Sequence, residues 1–306
     1  MISIWNNPRL RNGLFFAFLG VLIFSFTMPF TKVAVGGFNP YFLNMARAVI
    51  AGIAGIIVLR VARVPMIKRH EIRGFLWPIA MNIFGWPIFI TLALERTTSA
   101  HAAVIAAFMP LMTAFLAVVS THERVARSFW FAAGTGTAIL VIFSLSRGGA
   151  EGGNFLADIF VIAAVVSSSW GYVKGASLSR ERPGWQVISW VVVLALPVTA
   201  PLTAALWFVG PNPLEATGVE WLALLGLAFG SMFFGFFAWY KGLAMLGTAY
   251  GSQVQQLQSL LTLGWSALLL GESVTLWTLV AALGVIGSVL WAQRSRAPQS
   301  PPAAGS

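Results

Sequence analysis

Ten separate stretches of this chain are apolar for about twenty residues each, and that repetition constrains the fold more than any other feature. They cover 13–35, 41–61, 74–94, 99–119, 128–145, 155–176, 188–209, 221–243, 249–270 and 276–291. A helix of that length spans the hydrocarbon layer while satisfying every backbone polar group internally. The links between runs are too short to hold a soluble domain. The expected fold is therefore an all-α integral membrane protein with ten transmembrane helices. The first run is too long for the apolar core of a cleaved leader, and Lys32 stands where a cleavage site would fall, so it is read as a true span. The tail 294–306 is rich in Pro, Ser and Ala and is expected to be disordered.

Composition agrees with a lipid solvent. Charged residues make up only 9% of the 306, against about 25% in a soluble domain, which is too few to cover a water-facing surface. The absence of cysteine excludes disulfides and thiolate metal sites. His70, His101 and His122 are far apart in sequence, so neither a metal nor another cofactor is expected. With the N-terminus inside, Arg9, Arg11, Arg60, Arg63, Lys68, Arg69, Arg73, Arg124, Arg127, Arg180, Arg182, Arg294 and Arg296 all fall inside, and only Arg96 and Arg147 outside. The formal charge of +10 is thus a topology signal rather than a nucleic-acid surface, and both termini are placed in the cytoplasm of a cell inner (plasma) membrane protein. The expected partners are lipid and a small-molecule solute, in a monomer or a homodimer.

The chain also repeats itself. TSAHAAVIAAFMPLMTAFLAVVSTHE (98–123) aligns without gaps on GTAYGSQVQQLQSLLTLGWSALLLGE (247–272), so that Ala100 falls on Ala249, Leu111 on Leu260, Thr113 on Thr262 and Glu123 on Glu272. Two halves, 1–146 and 147–293, follow from this offset of 149. Five spans per half is an odd number, so the second copy must enter the membrane in the opposite sense. Inverted repeats of this kind are a mark of secondary carriers, whose solute lies near the midplane between the halves.

The pattern resembles the EamA branch of the drug/metabolite transporter superfamily over nearly the whole chain. The residues that carry the likeness are the polar, proline-bearing end of the first run (FSFTMPFTK, 24–32), Pro40 followed by Arg47, the small-residue start of the fourth run followed by Pro110, and Glu123-Arg124 echoed by Gly271-Glu272. The resemblance implies ten helices, cytoplasmic termini and a cavity lined by the first, third, fourth, sixth, eighth and ninth spans. It departs where the family's Trp-Gly is here Phe24-Ser25, and where Arg47 aligns with Trp190 in the second half. Amino-acid exporters of this branch, aromatic ones included, are the best comparison.

Polar groups inside apolar runs are costly and default to function. Lys32 and Arg47 are candidates to pair a solute carboxylate, against snorkelling or carbonyl binding as the structural alternative. Asn44, Asn82 and His101 are single polar residues that either line the cavity or bond locally. Ser252, Gln255, Gln256 and Ser259 form one helical stripe, facing a cavity or a partner helix. Trp170 and Trp239, beside Tyr172 and Tyr240, are candidate pocket walls, against an interface belt. Pro29, Pro87 and Pro110, like Pro197 and Pro201, are hinges or static kinks. No carboxylate sits deep in a run, which favours facilitative export over tight proton coupling. No HExxH, GxSxG or repeated selectivity filter is present, so neither an enzyme nor a channel is expected, and a carrier of phosphorylated or nucleotide-linked metabolites is the alternative within carriers.

Overall fold

A computed structural model describes residues 7–94, 96, 105–145, 154–270 and 276–295. The described residues are helical and contain no strand. Six helical stretches are long and apolar enough to cross a bilayer: Pro8–Thr31, Pro40–Val61, Arg69–Ala93, Phe155–Glu181, Gly184–Leu206 and Gly218–Leu246. These occupy the first, second, third, sixth, seventh and eighth apolar runs. The fourth run holds α6 (Met109–Thr121) and the fifth α7 (Arg127–Ser144). The ninth holds α12 (Thr248–Ser252), a 3-10 turn at Gln253–Gln255 and α13 (Gln256–Leu270), and the tenth holds α14 (Leu276–Arg294). The turn at Glu272, His101 and the tail beyond Ser295 lie outside the described residues.

Several helices begin at sequence-coded caps. Asn39 accepts the Tyr41 and Phe42 N–H groups just ahead of α3 (Pro40–Val61), with Pro40 at a position whose missing N–H costs nothing. Asn7 and Asn154 do the same for α1 (Pro8–Ser25) and α8 (Phe155–Glu181). Thr217 and Glu220 form a capping box at the start of the eighth run.

The first, third and eighth runs are each interrupted within their length. The first divides into α1 and α2 (Thr27–Ala34). Pro29 has no N–H to offer the Ser25 carbonyl four residues back. The Thr262 hydroxyl from the ninth run supplies the donor at 3.1 Å, and Trp265 Nε1 donates to Ser25 Oγ at 2.8 Å. The third run is α4 (Arg69–Pro78), a π-helical stretch Ile79–Gly85, and α5 (Trp86–Leu94). Here Pro87 removes the next donor, and Trp86 N–H reaches five residues back to Met81 O. The eighth run is α10 (Gly218–Leu225), a π-helical stretch Gly226–Phe234, and α11 (Gly235–Leu246), with Gly235 N–H bonded five back to Gly230 O. Carrying Ile79–Gly85 forward by 149 positions gives 228–234, the end of that second π-helical stretch. The three candidate hinge prolines all lie within the first three residues of a helical segment, just past a break.

Small residues let the helices meet closely, as packing in lipid requires. Three pairs of runs that correspond at the 149-residue offset touch each other, and each pair runs antiparallel. In the second and seventh, Gly52 faces Leu196 and Gly55 faces the Ser189 carbonyl. In the fifth and tenth, Gly136 faces Ser288 and Gly284 faces Ile139. In the fourth and ninth, Glu123 meets Thr248 while Pro110 meets Ser252. The first run packs on the eighth, Gly20 against the Trp239 backbone, and the third packs on the sixth, Gly85 against Ser167. Exchange of the halves turns one of these last pairs into the other.

One end of the bundle is basic. The start of α1 lies there beside Leu246, the α4 and α8 ends are tied by an ion pair between Glu71 and Arg182, and Arg180 pairs with Glu123 at 2.5 Å. Glu123 also accepts the Thr248 and Ala249 N–H groups, which close the first turn of α12 at this end.

Candidate functional site

The interior of the bundle, between the basic end and the opposite one, is polar and aromatic at once. Asn82 sits within the third run's π-helical stretch and donates from Nδ2 to the Tyr240 hydroxyl of the eighth run at 3.0 Å. The sixth run makes room for both. A Cβ at Gly171 would overlap the Asn82 amide, and one at Gly175 would overlap the Tyr240 ring. Beside them stands an aromatic wall. Tyr172 meets Trp239 edge-on at 5.6 Å and Phe236 at 6.0 Å, and Phe24 of the first run meets Phe236 at 5.1 Å and Trp239 at 6.2 Å. The Tyr172 hydroxyl faces Ser168 on its own helix and Gln255 in the 3-10 turn of the ninth run. Gln255 Nε2 lies 3.3 Å from the Met109 sulfur of the fourth run.

Five runs therefore converge there through Asn82, Met109, Tyr172, Trp239 with Tyr240, and Gln255, and a sixth contributes Phe24. Part of the hydrogen-bonding capacity is unused. Among the described residues Asn82 Oδ1, Gln255 Oε1 and Trp239 Nε1 are buried without a partner. Buried polar atoms are nearly always paired, so three unpaired ones at one centre mark a place built for something else to bind. No carboxylate among the described residues belongs to it.

Two other amides of the ninth run, those of Gln253 and Gln256, are engaged in a network that reaches neighbouring helices. Ser252 Oγ donates to Pro110 O at 3.1 Å, and Gln253 Nε2 reaches the same carbonyl at 3.2 Å. Gln256 Nε2 donates to Gln253 Oε1 at 2.7 Å, and its own carbonyl accepts from Ser288 of the tenth run at 3.1 Å. Ser252 and Gln256 thus lie in an interhelical network with the fourth and tenth runs. Gln255 turns the other way because the 3-10 turn advances the chain by more per residue than an α-helix does.

The remaining sequence candidates are placed as follows. Arg47 is 92% buried, and no carboxylate among the described residues pairs with it. Asn44, one turn earlier, donates to Thr91 of the third run at 3.3 Å. Leu43 and Ala46 pack in a cluster with Leu224 and Leu227 of the eighth. Arg47 falls between these two stripes on the helical wheel, so it points into the seam between the third and eighth runs. Trp170 lies toward the basic end with the Lys174 ammonium 4.5 Å over its ring and Trp77 edge-on at 5.9 Å, and its indole N–H is unpaired. Lys32 and Ser259 are in helices, and their side chains lie outside the described set.

A cleft of about 270 Å³ opens between the first and eighth runs, lined by Ile23, Phe26, Thr27, Phe30, Gly226, Leu227, Gly230 and Ser231. The Ser231 hydroxyl is turned onto Leu227 O, so this groove holds almost no polar anchor, unlike the centre.

The pairing of Tyr240 with Asn82 and the place of Met109 depend on contacts between runs far apart in the chain. The available signal was Gly171 and Gly175, two glycines one turn apart flanking Tyr172, which announce a close approach.

Six apolar helices of spanning length around an uncharged polar centre fit a multi-pass membrane transporter. The chain belongs to the EamA-like transporter family, whose pattern it matches twice, over residues 11–145 and 155–293. It is similar to YdeK of Bacillus subtilis (strain 168), described as an uncharacterized transporter, with 39% identity over 94% of this chain and 98% of that one. It is also similar to the aromatic amino acid exporter YddG of Ancylobacter novellus, 24% identical over 74% of this chain and 77% of that protein. A solved crystal structure at 20% identity has the same fold, with a TM-score of 0.76 over 92% of this chain and 97% of the other.

Proposed function

We propose that this chain is a secondary carrier that exports amino acids, aromatic and other large neutral ones included, by alternating access between two inverted five-helix halves. The halves are 1–146 and 147–293, with ten crossings and both termini in the cytoplasm beneath the inner membrane. Inversion is supported by the antiparallel packing of corresponding runs, since halves of like sense would set them parallel. The basic end is the cytoplasmic one by the charge bias of its loops. Two similar halves of opposite sense give an outward-open and an inward-open arrangement of comparable energy, which a carrier requires.

One observation carries the choice of solute: a buried guanidinium that no carboxylate among the described residues pairs with, above a neutral aromatic centre. An uncompensated buried charge is expensive, so a solute carboxylate at Arg47 would relieve it. Asn44 and Thr91 lie at one level, which puts Arg47 near the level of residue 88 on the antiparallel third run. Asn82 is then about 9 Å deeper at 1.5 Å per residue. An aromatic amino acid bridges that depth with its carboxylate uppermost and its ring against Phe24, Tyr172 and Trp239. The similarity to an aromatic amino acid exporter points the same way. With no carboxylate among the described residues of the centre to take up a proton, export runs down the solute's own gradient.

The test is flux of a metabolite panel in proteoliposomes, with and without an imposed pH gradient. Saturable counterflow of tryptophan, phenylalanine and leucine, little changed by the gradient, is expected. Movement of sugar phosphates without amino acids would replace this reading with the phosphorylated-metabolite one.

A further inference from the structure

The centre differs from a plain aromatic slot in the orientation of one amide. Gln255 Nε2 faces the Met109 sulfur, and a thioether can accept a hydrogen bond but never donate one. That contact fixes the amide with its nitrogen toward Met109 and leaves Oε1 as a buried acceptor with no partner among the described residues. Gln255 is more than nine-tenths buried, so the oxygen has lost water without gaining a donor. The neighbouring Tyr172 hydroxyl has Ser168 as its other partner, and the wall behind is Phe236 and Trp239. An N–H or O–H carried on an aromatic ring packed against that wall would meet the vacant acceptor.

We propose that Gln255 is the specificity-determining residue of the site, and that it selects aromatic solutes bearing a ring hydrogen-bond donor, an indole N–H or a phenol O–H. This rests on the carrier reading above and adds to it a choice among aromatic solutes. A site with an unpaired buried acceptor rejects the analogue that lacks the donor, because that analogue leaves the acceptor dry and unpaired. Tryptophan and tyrosine are then preferred over solutes of nearly the same shape.

The experiment compares two pairs in proteoliposome counterflow: tryptophan against its benzothiophene analogue, where sulfur replaces the N–H, and tyrosine against phenylalanine. The wild-type protein is expected to favour the donor-bearing member of each pair by at least about 10-fold in kcat/KM. Gln255→Met keeps an unbranched side chain of similar volume and removes the carbonyl. It should bring both ratios to within about 2-fold. A merely structural role would lower all four solutes together and leave the ratios alone. If phenylalanine and the benzothiophene analogue move as well as their partners in the wild type, the selection is overturned while the carrier reading stands. If none of the four moves, both fall together.

Discussion

The Glu123 carboxylate closes over the first turn of the ninth-run helix, accepting the Thr248 N–H at 2.9 Å and the Ala249 N–H at 2.8 Å. This one side chain, between the fourth and fifth runs, joins the end of the fourth run to the start of the ninth, its counterpart at the 149-residue offset. Its charge complements the helix N-terminus and its oxygens satisfy donors the helix cannot. Glu123→Ala should therefore destabilise by about 1–3 kcal/mol, read as a drop of several degrees in thermal unfolding in detergent. Arg180→Ala should cost much less, since Arg180 is about half exposed and its pairing is screened. Equal effects would show that the ion pair, not the cap, holds this end.

Tyr240→Phe leaves Asn82 buried with neither half of its amide paired. The expected cost is about 1–3 kcal/mol. Asn82→Leu added to it should cost less than the sum of the two single changes, because the pair acts as a unit. A double-mutant cycle on unfolding in detergent checks this, and strict additivity would argue against the bond.

Gly175→Ala places a methyl group into the Tyr240 ring, so folded yield should fall and stability drop by about 1–3 kcal/mol. Gly134→Ala is the control, since a Cβ there meets nothing within 4 Å and alanine is the better helix former. The yield of monodisperse protein after solubilisation separates the two.

Arg47→Gln should leave thermal stability unchanged or raised, because it removes a buried charge that lacks a counter-ion among the described residues. Affinity for tryptophan should fall at least about 10-fold, whereas tryptamine, which lacks the carboxylate, should bind no worse than to the wild type. A fall in stability with both ligands affected alike would make Arg47 a structural residue.

The chain has no cysteine, so single-cysteine variants report topology cleanly. In intact cells an impermeant thiol reagent should label Glu215→Cys and spare Arg124→Cys until the membrane is opened. Labelling of both from outside would overturn the inverted arrangement.

Much of the architecture was legible because lipid imposes simple rules. Apolar runs of spanning length and the basic loops needed no tertiary knowledge. The first-run break was also foreshadowed, since Pro29 must strip the Ser25 carbonyl of its donor. The matching π-helical stretches were not. One arises beside Pro87 and the other among Gly226, Gly230 and Gly235, so two different local compositions reach the same distortion. The stripe of Ser252, Gln255, Gln256 and Ser259 was drawn at 3.6 residues per turn. The 3-10 turn at Gln253–Gln255 breaks that arithmetic, sending Gln255 to the centre and Gln256 to Ser288.

The sequence by itself determined that this chain dissolves in a bilayer, that it is built twice, and which end carries the basic loops. These properties follow from length, hydropathy and charge along a single line of residues. Only the tertiary structure decided which polar side chains are left unpaired. Whether Asn82, Trp239 or Gln255 finds a partner depends on helices far away in the chain, and on glycines that set how closely those helices approach.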